Sequence, residues 1–407
     1  MEFDFSAYIV LNNILGGKIV KRRNKLRYAA CLLLSVIMVF GSIGFTAYAE
    51  EKEYPSLSLN CRSAVLMEAS TGEILYASNE NEALPPASVT KVMTLLLVME
   101  AIEEKKINYT DMVSASEHAC SMGGSQIYLE AGEQMSVEDL LKSVVIASAN
   151  DAAVTLAEYV AGTEEAFVEM MNKKAAELGM ENTFFENTNG LDDTTEKHLT
   201  SAKDIAIMSR ELIKYPKITE YSSIWMDTVR NGEFGLTNTN RLVRFYKGCT
   251  GLKTGSTSKA GFCISATAER DGLSLIAVIM GSPSRDERNA AAVNLLNYGF
   301  SNFTVFSNTP QKAITISVIK GKAATCQTME NEFKTVVNKN QLKKIEMKEE
   351  YESSIIAPVK KGQNVGTVTY SINGKVIGQV NIVTTEEVES LKFFDIFIRI
   401  IAKFSYC

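Results

Sequence analysis

Histidine is nearly absent from this chain of 407 residues, because His118 and His198 are the only two and they stand far apart. The seven cysteines are scattered, without the short paired spacings that bind zinc or build a disulfide framework. We therefore expect no metal site, no other cofactor and no structural disulfide.

The chain has no excess of positive charge outside the N-terminal segment. The net charge of the whole chain is −6. Residues 1–49 have a net charge of +4, so the remaining residues have a net charge of −10. A protein that binds the phosphate backbone needs the opposite sign, and this balance argues against a nucleic-acid partner. An apolar fraction of 46% is ample for a large core, and the length suggests two domains.

Residues 18–49 contain the three parts of a secretory signal. A basic cluster at 18–27 precedes an apolar stretch at 28–45, and Ala47-Tyr48-Ala49 then supplies the small residues of a cleavage site. We predict that residues 1–49 are a signal peptide and that the rest of the chain is exported. The alternative is that this segment is not cleaved and serves as an N-terminal anchor.

The rest of the chain is organised around residues 85–99. The run at 92–99 is apolar on every side, which is typical of a helix buried in a large core, and it is too short to span a bilayer. Two prolines precede it, as at the first turn of a helix. Ser88 and Lys91 are three residues apart, so they share one face at the helix N-terminus. Burial and the positive end of the helix dipole favour a neutral Lys91 amine, which makes a general base beside a nucleophile.

The Ser-x-x-Lys pattern alone is weak evidence, since it recurs elsewhere in the chain. Its weight comes from two motifs that follow it in the same domain, Ser148-x-Asn150 and Lys253-Thr254-Gly255. In this order the three motifs are the signature of class A β-lactamases and penicillin-binding proteins. We expect them on a helix start, a loop between two helices and a strand, respectively.

The secondary-structure pattern predicts an α+β domain followed by a β domain. Strand-like runs occur near the beginning and near the end of residues 55–303, with helical patterns between them. Strands at the two ends can form one antiparallel sheet with the helices packed on it. After a boundary at 302–310 the apolar residues recur with a period of two, and Asn373-Gly374 indicates a hairpin.

The chain resembles the low-molecular-mass penicillin-binding proteins, the serine-type D-alanyl-D-alanine carboxypeptidases. Beyond the three motifs, the resemblance extends over residues 55–386 and includes the segments 121–125, 187–193, 198–204, 238–241 and 357–362. It implies a penicillin-binding or β-lactamase-like domain at 55–303, in which helices flank an antiparallel sheet. A β-rich domain at 308–386 and a membrane-associating helix at 387–407 would follow.

The resemblance implies a function and three catalytic residues. The expected reaction removes the terminal D-alanine from peptidoglycan stem pentapeptides, during maturation of the cell wall or of the spore cortex. Ser88 would attack the carbonyl of the penultimate D-alanine, Lys91 would take its proton, and Ser148 would pass protons toward the leaving amine. β-Lactam antibiotics would bind covalently at the same serine.

The resemblance also implies how the substrate is held. Asn150 would bind the substrate amide, Lys253 and Thr254 would bind the terminal carboxylate, and Gly255 would let the substrate backbone lie close to the strand. The backbone N–H groups of Ser88 and Ser256 would form the oxyanion hole. Family members often carry a ring residue where this chain has Ser256, which leaves the backbone role intact but puts a side-chain role in doubt.

Two other classes of protein retain part of this pattern. A β-lactamase needs a second base for deacylation, for which Glu186 is a poor candidate, and an appended β domain does not suit it. A non-catalytic penicillin sensor or wall-binding protein would keep the fold, but all three motifs are intact. We expect His198 to be structural, whereas Arg241 and Arg244 are either carboxylate ligands or solvated surface charges.

Residues 391–404 have the pattern of an amphipathic helix. Lys392, Asp395 and Arg399 fall in a polar stripe, and large apolar residues cover the remainder. The segment is too short and too charged to span a bilayer, so it predicts a helix that lies in the outer face of the cytoplasmic membrane. The alternative is a helix docked on the β domain.

Overall fold

The computed structural model describes residues 54–193, 195–308 and 314–404, and the predicted signal peptide at 1–49 lies outside this part of the chain. The strands are β1 (Ser63–Glu68), β2 (Ile74–Ser78), β3 (Met112–Ser114), β4 (Gln134–Ser136), β5 (Met226–Val229), β6 (Phe234–Thr237), β7 (Cys249–Thr257), β8 (Gly261–Arg270), β9 (Leu273–Ser282), β10 (Phe303–Ser307), β11 (Ile314–Ile319), β12 (Thr325–Glu330), β13 (Lys334–Asn338), β14 (Ile345–Tyr351), β15 (Ser354–Ile356), β16 (Asn364–Ile372) and β17 (Lys375–Thr384). The α-helices are α1 (Lys91–Glu103), α2 (Glu117–Cys120), α3 (Val137–Lys142), α4 (Asn150–Ala161), α5 (Glu164–Glu177), α6 (Ala202–Leu212), α7 (Pro216–Ser222), α8 (Leu242–Phe245), α9 (Arg285–Asn302) and α10 (Phe393–Phe404).

Within the described residues, an antiparallel sheet in the order β2-β1-β9-β8-β7 organises the domain at 55–303, which the sequence predicts to be the catalytic domain. Two of its strands come from the beginning of the domain and three from the end, with the helices between them, as the sequence pattern predicts. The β8–β9 hairpin turns at Asp271 and Gly272, and both residues have positive φ, as a tight two-residue turn of this kind requires.

The two faces of this sheet cover two different hydrophobic cores. Val65 and Met67 of β1 pack in the larger core with side chains of α1 and α6, whereas Ala64 and Leu66 pack in the smaller core with side chains of α9. This alternation follows from the two-residue period of a strand. It predicts helices on both faces, which is the arrangement found here.

Helix α1 is the most deeply buried helix of the larger core. Every residue from Lys91 to Met99 is buried, which confirms the expectation drawn from its uniformly apolar sequence. Because the helix is packed on all sides, its first residue has no freedom to swing toward solvent. The packing therefore holds the amine of Lys91 inside the protein.

The helical stretch from Val137 to Ala147 has two parts in the structure. Helix α3 ends at Lys142, and Ser143–Ala147 continues as a π-helical segment that ends at Ser148. Ser148 has a φ of 63°, in the left-handed region. A π-turn inserts a residue into the helical repeat and is frequent at functional sites. Here it lifts Ser148 out of the helix ahead of α4.

The β domain is built on a second sheet, in the order β14-β16-β17-β12-β11-β15 among the described residues. The β16–β17 hairpin closes over Asn373 and Gly374, as predicted. The expected boundary at 302–310 contains strand β10, which pairs with β13. Val305 packs in the core of the catalytic domain and Phe306 in that of the β domain, so this short connection is held as a strand from both sides.

Helix α10 begins at Phe393, two residues later than its sequence pattern predicts. The preceding residues are paired with the β domain instead, through bridges that join Val388 to Val359 and Ser390 to Gly321. None of the helices in the described part of the chain has the length and apolar character needed to cross a bilayer.

Candidate active site

Ser88 and Lys91 meet at the start of the buried helix, as their spacing predicts. Ser88 lies in a 3-10 turn, Ala87–Thr90, that leads directly into α1, and the Lys91 Nζ donates to Ser88 Oγ at 2.9 Å. Ala87 has a φ of 50°, which is an unfavourable conformation for a residue with a Cβ atom. Gly190 packs against this turn so closely that a Cβ atom there would lie 1.9 Å from the Ala87 carbonyl oxygen. The strained backbone beside Ser88 is therefore held by the loop that contains Gly190.

The amine of Lys91 is surrounded by acceptors in a fully buried position. Besides Ser88, it donates to Asn150 Oδ1 at 2.5 Å and to the carbonyl oxygen of Asn189 at 2.9 Å. Burial lowers the pKa of Lys91 well below its usual value, the charge of Lys253 lowers it further, and the carboxylate of Asp151 opposes the shift. These effects favour a neutral amine that can accept the hydroxyl proton of Ser88.

Asn150 connects the Lys91 amine to the loop at residues 121–125. Its side-chain Nδ2 donates to the carbonyl oxygen of Gly123 at 2.6 Å, and its backbone N–H donates to the carbonyl oxygen of Ser125 at 2.7 Å. Both ends of the side-chain amide are thus engaged within the protein. The sequence-based role of Asn150, a ligand of the substrate amide, stays a prediction, and the structure adds a contact with Lys91.

Ser148 and Lys253 form a second serine–lysine pair beside the first. The Lys253 Nζ donates to Ser148 Oγ at 2.7 Å and to the carbonyl oxygen of Thr254 at 2.8 Å. Burial, and then the charge of Arg288, lower the pKa of Lys253 to about 7. The amine therefore titrates close to neutral pH, while its contact with Ser148 places it next to the candidate proton carrier.

Strand β7 forms one wall of the site. Thr254 is bonded through its hydroxyl to Thr239 Oγ1 at 2.9 Å, and Ser256 is exposed. Gly255 lies directly behind the nucleophile, since a Cβ atom on it would come within 2.7 Å of the backbone nitrogen of Ser88. Only glycine permits this close approach, which brings the strand and the start of α1 together.

A cavity of about 340 Å³ opens over these residues. Five predicted site residues line it, namely Ser88, Ser148, Thr254, Gly255 and Ser256. Lys91, Asn150 and Lys253 lie behind this lining, where they are buried and bonded to it. The structure thus brings all eight predicted residues together, with the two amines beneath the cavity rather than in it.

The cavity also contains residues that the sequence motifs do not identify. Arg241, Arg285 and Arg288 line it, together with Trp225. Arg288 is 3% exposed, and burial lowers its pKa to about 10. The sequence offers only a weak signal for it, an arginine in the first turn of α9. Its place in the site depends on how α9 packs on the sheet.

The remaining candidates have structural roles or lie at the edge of the site. The buried His198 Nδ1 accepts from the backbone N–H of Glu186, so Nε2 carries the proton and donates to Thr90 Oγ1 at 2.7 Å. This supports the expected structural role of His198. The Arg244 guanidinium packs over the rings of Trp225 and Phe245.

Comparison with known proteins identifies the family. The sequence profile of the D-alanyl-D-alanine carboxypeptidases matches residues 48–284, and that of the C-terminal domain of penicillin-binding protein 5 matches residues 300–390. The D-alanyl-D-alanine carboxypeptidase DacF of Bacillus subtilis is 41% identical over 378 residues, which cover 90% of this chain and 96% of that protein.

Solved structures agree with the sequence comparison. Penicillin-binding protein 5 of Haemophilus influenzae superimposes with a TM-score of 0.71 at 32% identity, over 83% of this chain and all of that one. Penicillin-binding protein D2 of Listeria monocytogenes, in an ampicillin-bound form, superimposes with a TM-score of 0.56 at 31% identity, over 60% of this chain and all of that one.

The fold and the site therefore define a serine hydrolase of the penicillin-binding type. The chain belongs to the D-alanyl-D-alanine carboxypeptidase family, and more narrowly to its low-molecular-mass penicillin-binding proteins with a C-terminal β domain.

Proposed function

We propose that this enzyme removes the terminal D-alanine from peptidoglycan stem peptides through an acyl-enzyme on Ser88. The observation that carries the proposal is the 2.9 Å hydrogen bond between Lys91 Nζ and Ser88 Oγ. It places a buried amine with a lowered pKa against a hydroxyl that lines the cavity. Such a pair is an activated nucleophile.

Acylation and deacylation follow from this pair. Ser88 Oγ attacks the carbonyl carbon of the penultimate D-alanine while its proton moves to Lys91, which gives a tetrahedral oxyanion. The proton on Lys91 then passes through Ser148, which contacts Lys253, to the leaving nitrogen as its bond to the carbonyl carbon breaks, so that Lys91 is neutral again. A water molecule hydrolyses the resulting ester, with Lys91 again taking the proton. The products are the shortened peptide and free Ser88.

The backbone N–H groups of Ser88 and Ser256 would stabilise the oxyanion. Both residues line the cavity, and Gly255 keeps the strand that carries Ser256 against the turn that carries Ser88. Donors fixed in this way cost no reorganisation when charge develops, and each is worth roughly 3 kcal/mol in acyl-transfer enzymes.

Positive charge in the lining of the cavity accounts for a substrate with a free carboxylate. Arg241, Arg285 and Arg288 line the cavity, and Lys253 is buried behind the lining next to Thr254. Guanidinium groups bind carboxylates through charge-assisted hydrogen bonds, whereas the lysine acts as a point charge. The terminal carboxylate of the leaving D-alanine would lie here, which makes the enzyme a carboxypeptidase.

β-Lactam antibiotics would acylate the same serine and remain bound. Rapid β-lactam hydrolysis needs a second base, and Glu186 is engaged elsewhere, since its Oε2 accepts from the backbone N–H groups of Glu196 and Lys197. This contact supports a penicillin-binding carboxypeptidase over a β-lactamase.

The test uses a labelled penicillin and a peptide that ends in D-Ala-D-Ala. We expect a stable adduct on Ser88 by mass spectrometry, release of D-alanine from the peptide and slow β-lactam turnover. Ser88→Ala and Lys91→Ala should both abolish the adduct, because the two residues act as a unit. An adduct that persists in Ser88→Ala would falsify the assignment, and fast β-lactam turnover would favour the β-lactamase.

We further propose that the enzyme is exported by its N-terminal signal and bound to the outer face of the cytoplasmic membrane by α10. The support from α10 is that its large apolar side chains are exposed, with Phe393 at 77% and Phe394 at 74%. Its polar stripe is turned toward the β domain, since the guanidinium of Arg399 donates to the carbonyl oxygen of Lys322. The apolar face is then free to enter the interface of a bilayer.

Liposome flotation tests the membrane proposal. The mature enzyme should float with the vesicles, and a protein truncated after Lys392 should not. Phe397→Glu, on the apolar face, should weaken flotation, whereas Lys392→Gln, on the polar stripe, is the matched control and should not. Equal flotation of the full-length and truncated proteins would overturn the role of α10.

A further inference from the structure

Two loops deliver the acceptors that hold the Lys91 amine. The loop at 187–191 supplies the carbonyl oxygen of Asn189, 2.9 Å from Nζ. The loop at 121–125 acts through Asn150, whose Oδ1 accepts from Nζ and whose Nδ2 donates to the carbonyl oxygen of Gly123. The position of the candidate base therefore depends on how these two loops are fixed to each other.

One carboxylate, Glu164, connects the two loops. It is the first residue of α5, and its Oε1 accepts from the backbone N–H of Thr188 at 3.0 Å and from the Thr188 hydroxyl at 2.7 Å. Thr188 immediately precedes Asn189, and its carbonyl oxygen accepts from Thr94 Oγ1 of helix α1 at 2.6 Å. Glu164 thus fixes the backbone that presents the Asn189 carbonyl to Lys91.

The second oxygen of Glu164 reaches the other loop. Its Oε2 accepts from His118 Nε2 at 2.7 Å. His118 lies in α2, and its carbonyl oxygen accepts from the hydroxyl of Ser121, the residue that begins the loop at 121–125. The Glu164 side chain is 13% exposed and that of His118 is 50% exposed, so a partly buried carboxylate is paired with an imidazole that solvent can protonate.

We propose that Glu164 is a positioning residue for the general base Lys91, and that protonation of His118 strengthens the connection which Glu164 makes between the two loops. The inference rests on the proposed acylation of Ser88 but assigns residues outside the three motifs. Neutral His118 donates an ordinary hydrogen bond to the carboxylate, whereas the cation donates a charge-assisted one, which is shorter and stronger.

The groups that face His118 are carboxylates from two neighbouring helices. Glu164 and Glu165 belong to α5, and Glu158 belongs to α4. The hydrogen bond to Glu164 has the largest effect and raises the pKa of His118, partial burial opposes it, and the charges of the three carboxylates raise the pKa further. The stronger connection is therefore present at mildly acidic pH and is lost as the pH rises through the raised pKa.

The experiment measures acylation of the full-length protein by a labelled penicillin from about pH 5 to about pH 9, which brackets the titration of histidine. His118→Gln keeps an N–H donor to Glu164 but cannot be protonated. The ratio of the wild-type rate to the His118→Gln rate is taken at each pH, because the titrations of Lys91 and Lys253 are common to both proteins and cancel. Thermal midpoints at each pH show that the variant is folded.

We expect this ratio to be near one at high pH and to rise to about threefold at low pH, because only the wild-type bond becomes charge-assisted. Glu164→Ala should slow acylation about tenfold at high pH, since it releases the Asn189 carbonyl, and by more at low pH, where the wild type also gains from the charge-assisted bond. In that background His118→Gln should have no further effect, because the two residues act through one contact. Glu164→Gln, which keeps an acceptor for Thr188, should restore most of the rate at high pH but not the dependence on His118.

Glu165→Gln is the matched control, since it removes a carboxylate from the same turn of α5 but not the one that binds Thr188. In the Glu165→Gln background, the ratio of the rate with His118 to the rate with His118→Gln should still rise at low pH. A ratio of wild-type to His118→Gln rates that is independent of pH overturns the inference, and so do additive effects of the His118 and Glu164 substitutions. The proposed function still holds in that case if the wild-type protein forms its adduct on Ser88. A wild-type protein that forms no adduct overturns the proposed function, and this inference with it.

Discussion

The Cα atom of Gly255 faces the backbone nitrogen of Ser88 so closely that a Cβ atom would lie 2.7 Å from it and 2.9 Å from that of Val89. Strand β7 and the turn before α1 are therefore in backbone contact at the nucleophile. This contact holds Ser256, which follows Gly255 in the strand, near Ser88 at the cavity.

Gly255→Ala should disable acylation without unfolding the protein. The added methyl group must push the strand away from the Ser88 turn, so the oxyanion donors lose their spacing, and a loss of one donor costs on the order of 100-fold in rate. The measurement is the rate of adduct formation, with circular dichroism to confirm the fold. Gly235→Ala is the control, because a Cβ atom at Gly235 meets no neighbouring atom within 4 Å. Normal acylation of Gly255→Ala would contradict the contact.

Preference for a substrate acid over its amide should fall as the pH rises through neutrality. The pKa of Lys253 is lowered to about 7, so its charge is present below that pH and lost above it. We expect the ratio of kcat/KM for a D-Ala-D-Ala acid to that for its C-terminal amide to drop about tenfold between pH 6 and pH 9, as one charged partner is removed.

Lys253→Gln should make the same ratio small and independent of pH. The arginines that line the cavity keep their charge over this range, so part of the preference for the acid should remain. Equal rates on acid and amide in the wild-type enzyme would indicate an endopeptidase instead.

His198 should make the protein less stable in acid. Burial lowers the pKa of His198 to about 4, whereas a histidine in the unfolded chain titrates near 6.5, so only the unfolded chain binds the proton between these values. The free energy of unfolding should therefore decrease as the pH falls through this window, by roughly 3 kcal/mol in all.

Denaturant unfolding of the wild type and of His198→Phe at several pH values measures this effect. The variant should be less stable at neutral pH, because Thr90 and Glu186 lose their partner, but it should lose less stability in acid. His118 changes the free energy of unfolding with pH in the opposite direction, since its hydrogen bond to Glu164 raises its pKa. This effect is common to both proteins, so it cancels when their free energies of unfolding are subtracted. Parallel pH curves for the two proteins would contradict the assignment.

Asp151 should be essential for the structure around the loop at 121–129. Its fully buried carboxylate accepts from the backbone N–H groups of Ile127, Leu129 and Ala152. Asp151→Ala leaves these buried donors without an acceptor and should lower the free energy of unfolding by about 3 kcal/mol. Asp271→Asn, in an exposed turn that suits asparagine, should stay within about 0.5 kcal/mol of the wild type. Urea unfolding distinguishes the two, and equal stabilities would contradict the role of Asp151.

Much of the fold follows from local patterns. The apolar run at 92–99 and the Asn373-Gly374 turn are signals that lie within a few residues, so the elements that they predict are present. Strand β10 is missed because its short apolar pattern becomes a strand only through its pairing with β13. The π-turn before Ser148 is missed because nothing in the residues 143–147 distinguishes it from an ordinary helix.

The amino-acid order specifies the three motifs and their elements, because each motif is contiguous and its helical or extended backbone depends on its near neighbours. The chemical state of the site depends instead on contacts between distant parts of the chain. Lys91 contacts Asn189, 98 residues away, and Lys253 contacts Ser148, 105 residues away. Burial by such contacts lowers the pKa of both amines, and similar contacts bring Arg288 to the cavity and Glu164 to His118. Local patterns carry no information on these pairings, since desolvation and charge proximity exist only once the sheet and helices have packed.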